Sequence, residues 1–545
     1  MSYPRLIQTL VIEDESTKLY EAVFDPLIRD GSLAPLRYAY CFRDAHRILR
    51  SDKIVHLVIL DLRLPELPGR PPQEGLDHGL ELLDQCTRRD DYPIPALLVI
   101  SGHIGQADQR DLDSRVRGGF YHGRVLVKGP QLQAGLLEAV QAVQDYCGVG
   151  IHIRDAEERM YPTLSPREDD LLRRCVLRQR NCTGVDLEWW SAEYQRPSGH
   201  YSHCMGWTKT LSGRFLLHGD RPSRPNFFKL APAGGAESVL GDAELMQHKL
   251  EHIKVWGALI AGGRSLLVTQ KVGANDDRPI SLAEYLIRPA ELVMKRLPHV
   301  IEAVAAQVEA LGDSTPHRCS VGDLLWSDHN TKRLEEQWQL YGGEKLLTEL
   351  GAEADPLLLF RELSSNCKEL LFTRQTFLHG DLNATNIAMD QRDDDVSAYI
   401  FDASGCAAGI NVRDLALLEV SALLHQPLCG SESLIKYCSS LYGFEVAPPD
   451  EIDYTTGSDL ARNTMKLIVE IRRQALKRAE SSIYALMIFD NAVMQLGGLA
   501  FGSSCNKIFN PKEAAYLAAL AARWLRRCAR EILAQEEHLA QIEPA

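Results

Sequence analysis

The residue types and spacing between His379 and Asp402 suit a reaction on phosphate groups. The first stretch is His-Gly-Asp-Leu-Asn-Ala-Thr-Asn and ends at Asn386, and a later hydrophobic run leads into Asp402. Asp381 can accept the proton of an incoming hydroxyl group. Asn386 and Asp402 carry oxygen ligands for Mg²⁺ on nucleotide phosphates. A base and two metal ligands need fixed spacing on adjacent loops, so the pattern predicts phosphoryl transfer.

This motif resembles the aminoglycoside phosphotransferase and choline kinase branch of the protein-kinase-like fold, which uses H-G-D-x-x-x-x-N where protein kinases prefer H-R-D. The later segment Arg413–Ala416 looks like the R-D-L-A helix of that branch. The resemblance implies a bilobal kinase-like fold, with ATP and Mg²⁺ as cofactors and a small-molecule or protein hydroxyl as acceptor. It further implies that His379 and Asp414 support the catalytic loop.

A lysine inside an apolar strand is the next candidate. Lys229 lies in the predicted strand Asn226–Leu230, and a buried lysine needs a partner. The resemblance implies that it grips the nucleotide phosphates and pairs with a glutamate on the following helix. That helix is predicted at 237–255, where Glu244 and Glu251 can face the same side, and Glu244 is preferred. The alternative is an edge-strand lysine that reaches solvent.

Four apolar runs in the first 150 residues predict strands buried on both faces of a parallel sheet. Helical patterns separate the runs, so the unit is predicted to be a doubly wound α/β fold. Polar residues follow at the carboxyl ends of these strands, where such sheets place their sites. Carboxylates among them would hold Mg²⁺ through oxygen. The carboxylates are Glu13, Asp14 and Asp61. The other polar residues at strand ends are Ser101 and Lys128, which follow the third and fourth strands.

The order acid pair, Asp, Ser, Lys resembles the flavodoxin-like receiver domain of response regulators. The resemblance implies that Asp61 is a phospho-acceptor, loaded by an upstream histidine kinase, and that Glu13 and Asp14 bind the metal. Ser101 would be the switch hydroxyl and Lys128 would stabilise the acyl phosphate. Two features depart from that family: Val125 replaces the usual aromatic switch residue, and 66–77 is a Pro/Gly-rich insertion. A degenerate receiver that only docks a partner is the alternative.

Length and composition limit the possible function classes. At 545 residues the chain is too long for one core, and its net charge of −14 argues against DNA as a partner. No apolar run predicts a membrane span or a secretory leader. Thirteen scattered cysteines fit reduced thiols in a cytoplasmic protein.

The domain prediction has four parts: a receiver domain at 1–150, a linker helix at 151–185, a kinase-like N-lobe at 186–275, and a C-lobe with a helical extension at 276–545. The linker helix begins with Ser165 as N-cap, Pro166 at N1 and Glu168 at N3. This opening resembles the start of a DNA-binding helix-turn-helix, but no recognition helix follows.

The sequence therefore predicts a bacterial two-component signalling protein with an ATP- and Mg²⁺-dependent phosphotransferase activity, regulated by phosphorylation of Asp61. Two alternatives remain open at this stage. One is a protein kinase or AMP-transferase, and the other is a nucleotide-binding pseudokinase scaffold in a multi-protein complex.

Overall fold

A computed structural model describes residues 6–14, 18–51, 54–69, 78–89, 92–101, 106–154, 164–189, 209–218, 223, 225–232, 241, 244–245, 247–250, 254–261, 263–270, 280–325, 331–341, 343–350, 355–365, 370–392, 395–401, 407–424, 434, 442, 457–497 and 511–540. The chain forms two compact units. The first comprises Met1–Trp190, His200–Glu237 and Trp256–Gln270, and the second comprises Ser191–Gly199, Ser238–Val255 and Lys271–Ala545.

The first unit begins with a parallel sheet whose strands lie in the order β2-β1-β3-β4-β5. The strands are β1 (Thr9–Ile12), β2 (Arg37–Ala39), β3 (Leu57–Asp61), β4 (Ala96–Ser101) and β5 (His122–Val127). The helices are α1 (Lys18–Arg29), α2 (Phe42–Ser51), α3 (His78–Thr87), α4 (Gln106–Gly119) and α5 (Leu132–Gly148). This doubly wound order places the carboxyl ends of β1 and β3 side by side at the point where the order reverses.

Alternate residues of the central strands enter two separate cores. Val58 and Leu60 pack on the side of α2, α3 and α4. Leu57 and Ile59 pack on the side of α1 and α5. Burying each such side chain stabilises the fold by about 1.5–3 kcal/mol. The continuous apolar runs therefore fill both faces, and the predicted parallel α/β sheet is confirmed.

A six-stranded sheet completes the first unit, in the order β10-β11-β9-β8-β7-β6. Strands β6 and β7 are parallel, and β7, β8, β9 and β11 pair antiparallel. The elements are β6 (Gly150–Arg154), α6 (Pro166–Arg178), β7 (Cys182–Trp189), β8 (Lys209–Leu217), β9 (Asn226–Pro232), β10 (Val255–Ala261) and β11 (Arg264–Gln270). The strand predicted at Asn226–Leu230 is thus present within β9.

Helix α6 begins where its sequence predicts. Ser165 Oγ accepts a hydrogen bond from the Glu168 backbone N–H at 3.3 Å, and the Ser165 N–H donates to Glu168 Oε2 at 2.7 Å. Pro166 follows at the first helical position, where its missing N–H has no intrahelical partner to lose. The stretch predicted as a linker helix also supplies β6 and the start of β7, so it belongs to a β-α-β element of the second sheet. The predicted domain boundaries themselves stay predictions.

The second unit contains two small antiparallel sheets. One has the order β12-β15-β16 and the other β13-β14-β17. The strands are β12 (Ile280–Ser281), β13 (Thr315–Ser320), β14 (Leu370–Leu378), β15 (Ile387–Arg392), β16 (Asp395–Ile400) and β17 (Ala407–Ile410). The predicted hairpin after the His-Gly-Asp motif is β15–β16, with Ile387 opposite Ile400.

Helices make up most of the second unit and enclose one large core. They are α7 (Leu282–Leu286), α8 (Ala290–Met294), α9 (Leu297–Ala310), α10 (Val321–Leu324), α11 (Thr331–Tyr341), α12 (Gly343–Leu350), α13 (Pro356–Ser365), α14 (Arg413–Leu424), α15 (Asp459–Leu476), α16 (Ser481–Gly497) and α17 (Pro511–Ala540). The helical patterns at 460–476 and 511–539 correspond to α15 and α17. No helix in the described ranges has both the length and the apolar content that a membrane crossing requires.

Candidate functional site

The His-Gly-Asp loop lies between two strands of the second unit. Strand β14 ends at Leu378, and a short 3-10 turn at Ala384–Asn386 leads into β15. Gly380 has a φ of +81°, a left-handed conformation that favours glycine over any residue with a Cβ. Gly380 therefore supplies a left-handed turn in the loop that joins β14 to the 3-10 turn.

His379 is fully buried and uses both ring nitrogens. Nε2 lies 2.9 Å from the Phe401 carbonyl oxygen, and Nδ1 lies 3.3 Å from the Asp381 backbone N–H. A carbonyl can only accept and a backbone N–H can only donate, so Nε2 carries the proton. The ring therefore links the His-Gly-Asp loop to the end of β16.

Asp414 holds the same loop from the start of α14. Its two carboxylate oxygens accept the backbone N–H groups of His379 at 2.7 Å and Gly380 at 3.0 Å. Burial raises the pKa of Asp414 above its usual value, and the two N–H donors and the neighbouring Arg413 oppose that shift. The predicted supporting role of Asp414 thus corresponds to two direct hydrogen bonds.

Two asparagines orient the Asp381 carboxylate. Asn383 Nδ2 lies 3.3 Å from Asp381 Oδ1, and Asn386 Nδ2 lies 3.2 Å from Asp381 Oδ2. Asn386 Nδ2 also donates to the Asp381 carbonyl at 2.8 Å. Asp381 is only half-buried, so its carboxylate can still meet a substrate. Sequence reasoning missed Asn383, whose side-chain oxygen also caps the 3-10 turn by accepting the Thr385 and Asn386 N–H groups.

The amide of Asn386 suits the predicted metal role. Both of its hydrogen bonds to Asp381 use the nitrogen, so the side-chain oxygen is the atom left for a cation that prefers oxygen. The Phe401 N–H donates to the Asn386 carbonyl at 3.0 Å, which fixes the chain immediately before Asp402. Asp402 itself lies outside the described residues.

Lys229 lies in β9, at the centre of the six-stranded sheet, opposite Thr210 of β8 and Leu267 of β11. It is 7% exposed, so the predicted buried strand lysine is present in the first unit. Glu244 belongs to the second unit and is exposed at a helical position, while Glu251 lies outside the described residues. The predicted pairing of Lys229 with Glu244 stays a prediction.

Three carboxylates converge at the carboxyl ends of β1 and β3. Oxygens of Glu13, Asp14 and Asp61 lie within 4.8 Å of one another. Lys128 Nζ donates to Glu13 Oε1 at 3.0 Å and to Asp61 Oδ2 at 2.9 Å. Two further donors come from Tyr20, whose hydroxyl lies 2.9 Å from Glu13 Oε2, and from the Arg63 N–H, 3.0 Å from Asp61 Oδ1.

The charges in this carboxylate site are strongly coupled. Burial raises the pKa of Glu13, the nearby Asp61 raises it further, and Lys128 opposes the shift. Burial alone would lower the pKa of Lys128, but its hydrogen bonds and charge attraction to Asp61 and Glu13 raise it instead. Three acidic groups around one lysine leave a net negative cluster, and its oxygen donors fit a hard divalent cation.

The other predicted members of the carboxylate site are only partly described. Ser101 ends β4 and pairs with Val127 of β5, one residue before Lys128, but its side chain lies outside the description. Asp61 pairs with Ile100, so the backbone of Ser101 lies next to the start of the loop that follows Asp61. Sequence reasoning missed Tyr20, because a tyrosine in the first turn of α1 carries no pattern that points to Glu13.

Comparisons with known proteins give only distant similarities. No family model matches the chain, and no curated protein matches it. A thermostable mutant of aminoglycoside phosphotransferase APH(4)-Ia, solved with AMP-PNP and hygromycin B, is 11% identical, covering 58% of this chain and 90% of that one, with a TM-score of 0.32.

Two further solved structures are similar at the same level. Choline kinase from Cryptosporidium parvum is 10% identical over 61% of this chain and 89% of its own, with a TM-score of 0.29. Plasmodium vivax ethanolamine kinase is 10% identical over 67% and 86%, with a TM-score of 0.31. TM-scores this low decide nothing about fold or activity.

Proposed function

We propose that this chain is an ATP- and Mg²⁺-dependent phosphotransferase with a kinase-like site, regulated by phosphorylation of Asp61. One observation carries the catalytic part: the Asp381 carboxylate is held on both oxygens by Asn383 and Asn386. The loop beneath it is fixed by His379 and Asp414. A half-buried carboxylate oriented in this way suits a base that must meet a hydroxyl group in one geometry.

In this mechanism Asp381 accepts the proton of the acceptor hydroxyl as the oxygen attacks the γ-phosphorus of ATP. The bond between that phosphorus and the β–γ bridging oxygen breaks, and ADP leaves. Phosphoryl transfer needs little covalent help from the protein, so positioning of the hydroxyl supplies much of the rate. The amide N–H groups of Asn383 and Asn386 hold the carboxylate in one orientation. The acceptor is a small-molecule or protein hydroxyl.

Lys229 would contact the nucleotide phosphates, with Glu244 as its proposed partner. Asn386 and Asp402 would be the protein ligands of Mg²⁺, and the side-chain oxygen of Asn386, which its hydrogen bonds to Asp381 do not use, fits that role. Mg²⁺ supplies neutralisation of the charge that develops on the phosphate oxygens.

Asp61 is the proposed regulatory acceptor. Lys128 already lies against its carboxylate at 2.9 Å and would neutralise an added phosphoryl group. Glu13 and Asp14 complete an oxygen donor set for Mg²⁺, and Ser101 would contact the new phosphate. The phosphoryl donor in the cell would be a histidine kinase.

The catalytic proposal is tested by ATP consumption with Mg²⁺, comparing wild type with Asp381→Asn and Asp402→Ala. We expect Asp381→Asn to lower turnover by about 10²–10⁴-fold, the usual contribution of a general base. Asp313→Asn, an exposed change in the same unit, is the matched control and should retain full activity. Turnover that survives both site variants would exclude the mechanism, and Mg-ATP binding without turnover in wild type would favour a pseudokinase scaffold.

The regulatory proposal needs a second experiment. Acetyl phosphate with Mg²⁺ should load one phosphoryl group onto wild type but not onto Asp61→Asn, as intact-mass spectrometry would show. Turnover should change only in the protein that was loaded. Loading with no change in turnover would leave the enzyme intact but reject Asp61 as its switch.

A further inference from the structure

Helix α6 is highly charged and yet buried. Six of its first nine residues carry charge and each is less than a tenth exposed: Arg167, Glu168, Asp169, Asp170, Arg173 and Arg174. Burying a charge is costly unless it is paired and hydrogen-bonded. Ion pairs of this kind add little net stability but hold one geometry. The charges on α6 are therefore expected to position its neighbours.

One side of α6 holds the carboxyl ends of the helices in the parallel-sheet domain. Arg167 Nη2 donates to the carbonyls of Thr87 and Arg89, at 3.3 and 2.6 Å, just after α3. Arg174 Nη2 donates to Gly119 at the end of α4, at 3.1 Å. Guanidinium groups at these sites satisfy the last carbonyls of a helix and complement its dipole.

Asp170 connects these two arginines to α5. It accepts from Arg167 Nη1 at 3.2 Å, from Arg174 Nε at 2.9 Å and from the Tyr146 hydroxyl at 3.0 Å. Arg173 adds a bond to the Val149 carbonyl at 2.7 Å, beyond the end of α5. The ends of α3, α4 and α5 thus share one hydrogen-bonded network with α6.

The other side of α6 holds the six-stranded sheet through Glu168. Lys209 Nζ on β8 donates to Glu168 Oε2 at 2.7 Å. Arg264 Nη2 on β11 lies 3.8 Å from Glu168 Oε1, within ion-pair range but beyond a hydrogen bond. The carboxylate therefore touches both strands that flank β9.

Strand β9 is the strand that carries Lys229. Lys209 is opposite Leu230, and Arg264 is opposite Pro232, so these residues share the sheet face covered by α6. Successive side chains of a strand point to opposite faces, so Lys229 projects from the other face. Glu168 therefore contacts residues on one face of the sheet, next to the position where Lys229 projects from the opposite face.

We propose that Glu168 is a positioning residue for Lys229, and that α6 transmits changes at the ends of α3 and α4 to β9. The functional reading rests on the proposed role of Lys229 in binding nucleotide phosphates. Helix α3 packs tightly against the loop that follows Asp61, since a Cβ on Gly79 would lie 2.4 Å from the Leu62 Cα. A shift of that loop would therefore move α3 and its contact with Arg167. Coupling of this kind needs contacts that differ between two states, and we expect the bonds of Arg167 and Arg174 to the helix ends to be the contacts that change.

The first test is Glu168→Gln, which keeps the side-chain length and an acceptor for the Ser165 N–H but removes the charge that pairs with Lys209. We expect hydrogen exchange of the β8 and β9 amides to become about tenfold faster, with β1 and β3 unchanged. Asp186→Asn is the matched control. This substitution removes the ion pair between Asp186 and Arg154 in the same sheet, and it should leave the exchange of the β9 amides unchanged. Exchange of β9 that stays at the wild-type rate in Glu168→Gln would overturn the proposal.

The second test is a double-mutant cycle on Mg-AMP-PNP affinity, measured by calorimetry. Glu168→Gln should weaken the binding of Mg-AMP-PNP about tenfold. In turnover assays the same variant should raise KM while kcat changes little. Combining it with Lys229→Met should cost no more than Lys229→Met alone. Additive losses would show that Glu168 acts independently of Lys229 and reject the positioning role. If wild type binds no nucleotide, the proposed function fails, while the exchange experiment still decides whether Glu168 holds β9.

Discussion

His379 and Asp414 show how single side chains can fix the His-Gly-Asp loop through its backbone. The ring links two loops through its two nitrogens, and the carboxylate gathers two consecutive backbone N–H groups. A residue of similar size that lacks the same donors and acceptors could not keep the hydrogen bonds of either His379 or Asp414. The position of Asp381 therefore depends on groups that lie beneath it.

Replacing Asp414 with Asn tests this dependence. The amide has one acceptor oxygen, so either the His379 or the Gly380 N–H loses a partner, and a buried NH₂ group is added. We expect a loss of about 1–3 kcal/mol in the free energy of unfolding, measured with urea. Turnover should fall further than stability explains, because Asp381 is displaced. Wild-type turnover in a folded Asp414→Asn protein would contradict this role.

His56 gives a pH-dependent prediction at the start of β3. The Gln8 N–H donates to His56 Nδ1 at 2.9 Å, and burial lowers the pKa of His56 from 6.5 to about 4. Between these values the unfolded chain binds more protons than the folded chain. The stabilisation is therefore complete above pH 6.5, and about 3 kcal/mol is lost as the pH falls through 4.

The measurement compares wild type with His56→Asn, whose side-chain oxygen can replace Nδ1 as acceptor but does not titrate. Urea unfolding between pH 7 and 4 also reflects carboxylates, which both proteins share. The difference between the two curves should therefore isolate His56. Parallel curves over this range would show that the imidazole does not titrate as expected.

At the scale of elements, the sequence predicted best where one physical demand dominates. Strands buried on both faces must be apolar throughout, and that pattern marked β1, β3 and β4. Strand β5 lies at the edge of the sheet and is partly exposed, and only its last three residues are an apolar run. Strand β13 spans Thr315–Ser320 and is mostly polar and exposed, so it has no such pattern. Likewise β6 is a short strand at one end of its sheet, and only its pairing with β7 identifies it.

For the candidate site residues, too, prediction from the sequence worked where one physical demand dominates. Residues in a motif, such as Asp381 and Asn386, could be predicted because their chemistry requires fixed spacing. The roles of Tyr20 and Glu168 could not, because each contacts residues that are distant in sequence and brought close only by folding.

A buried ionic cluster joins three helices of the second unit. Glu419 on α14 accepts from Arg472 Nη2 on α15 at 2.7 Å and from the Tyr484 hydroxyl on α16 at 2.7 Å. The Tyr442 hydroxyl donates at 2.6 Å, and the Arg472 guanidinium lies 4.6 Å from the Trp524 ring centre. Both charged groups, Glu419 and Arg472, are buried, so the stability of this cluster depends on each of them keeping its partners.

Removing one partner should therefore cost more than removing both. We expect Glu419→Leu to lose about 3–5 kcal/mol, because the Arg472 charge is left buried and unpaired. The double variant Glu419→Leu/Arg472→Leu should recover part of that loss in urea unfolding. A double variant that costs the sum of the two single losses would contradict coupling between these residues.

At the scale of the whole molecule, the two units have separate cores and distinct candidate ligands. The carboxylate site lies wholly in the first unit, and the Asp381 loop lies wholly in the second. The proposed Mg²⁺ site at Glu13, Asp14 and Asp61 is therefore distinct from the proposed Mg-ATP site. Binding of Mg²⁺ alone and binding of Mg-ATP should consequently have different effects on stability.

Calorimetric unfolding of the full chain separates these effects. A ligand that binds only the folded state stabilises it by RT ln(1 + [L]/Kd), about 2.7 kcal/mol at a hundredfold excess over Kd. Mg²⁺ without nucleotide should raise the transition of the first unit, and chelation should reverse the rise. Asp61→Asn weakens the donor set of Glu13, Asp14 and Asp61, so the rise should shrink in that variant. An equal rise in Asp61→Asn would place the cation elsewhere and remove the metal from the proposed phosphorylation of Asp61.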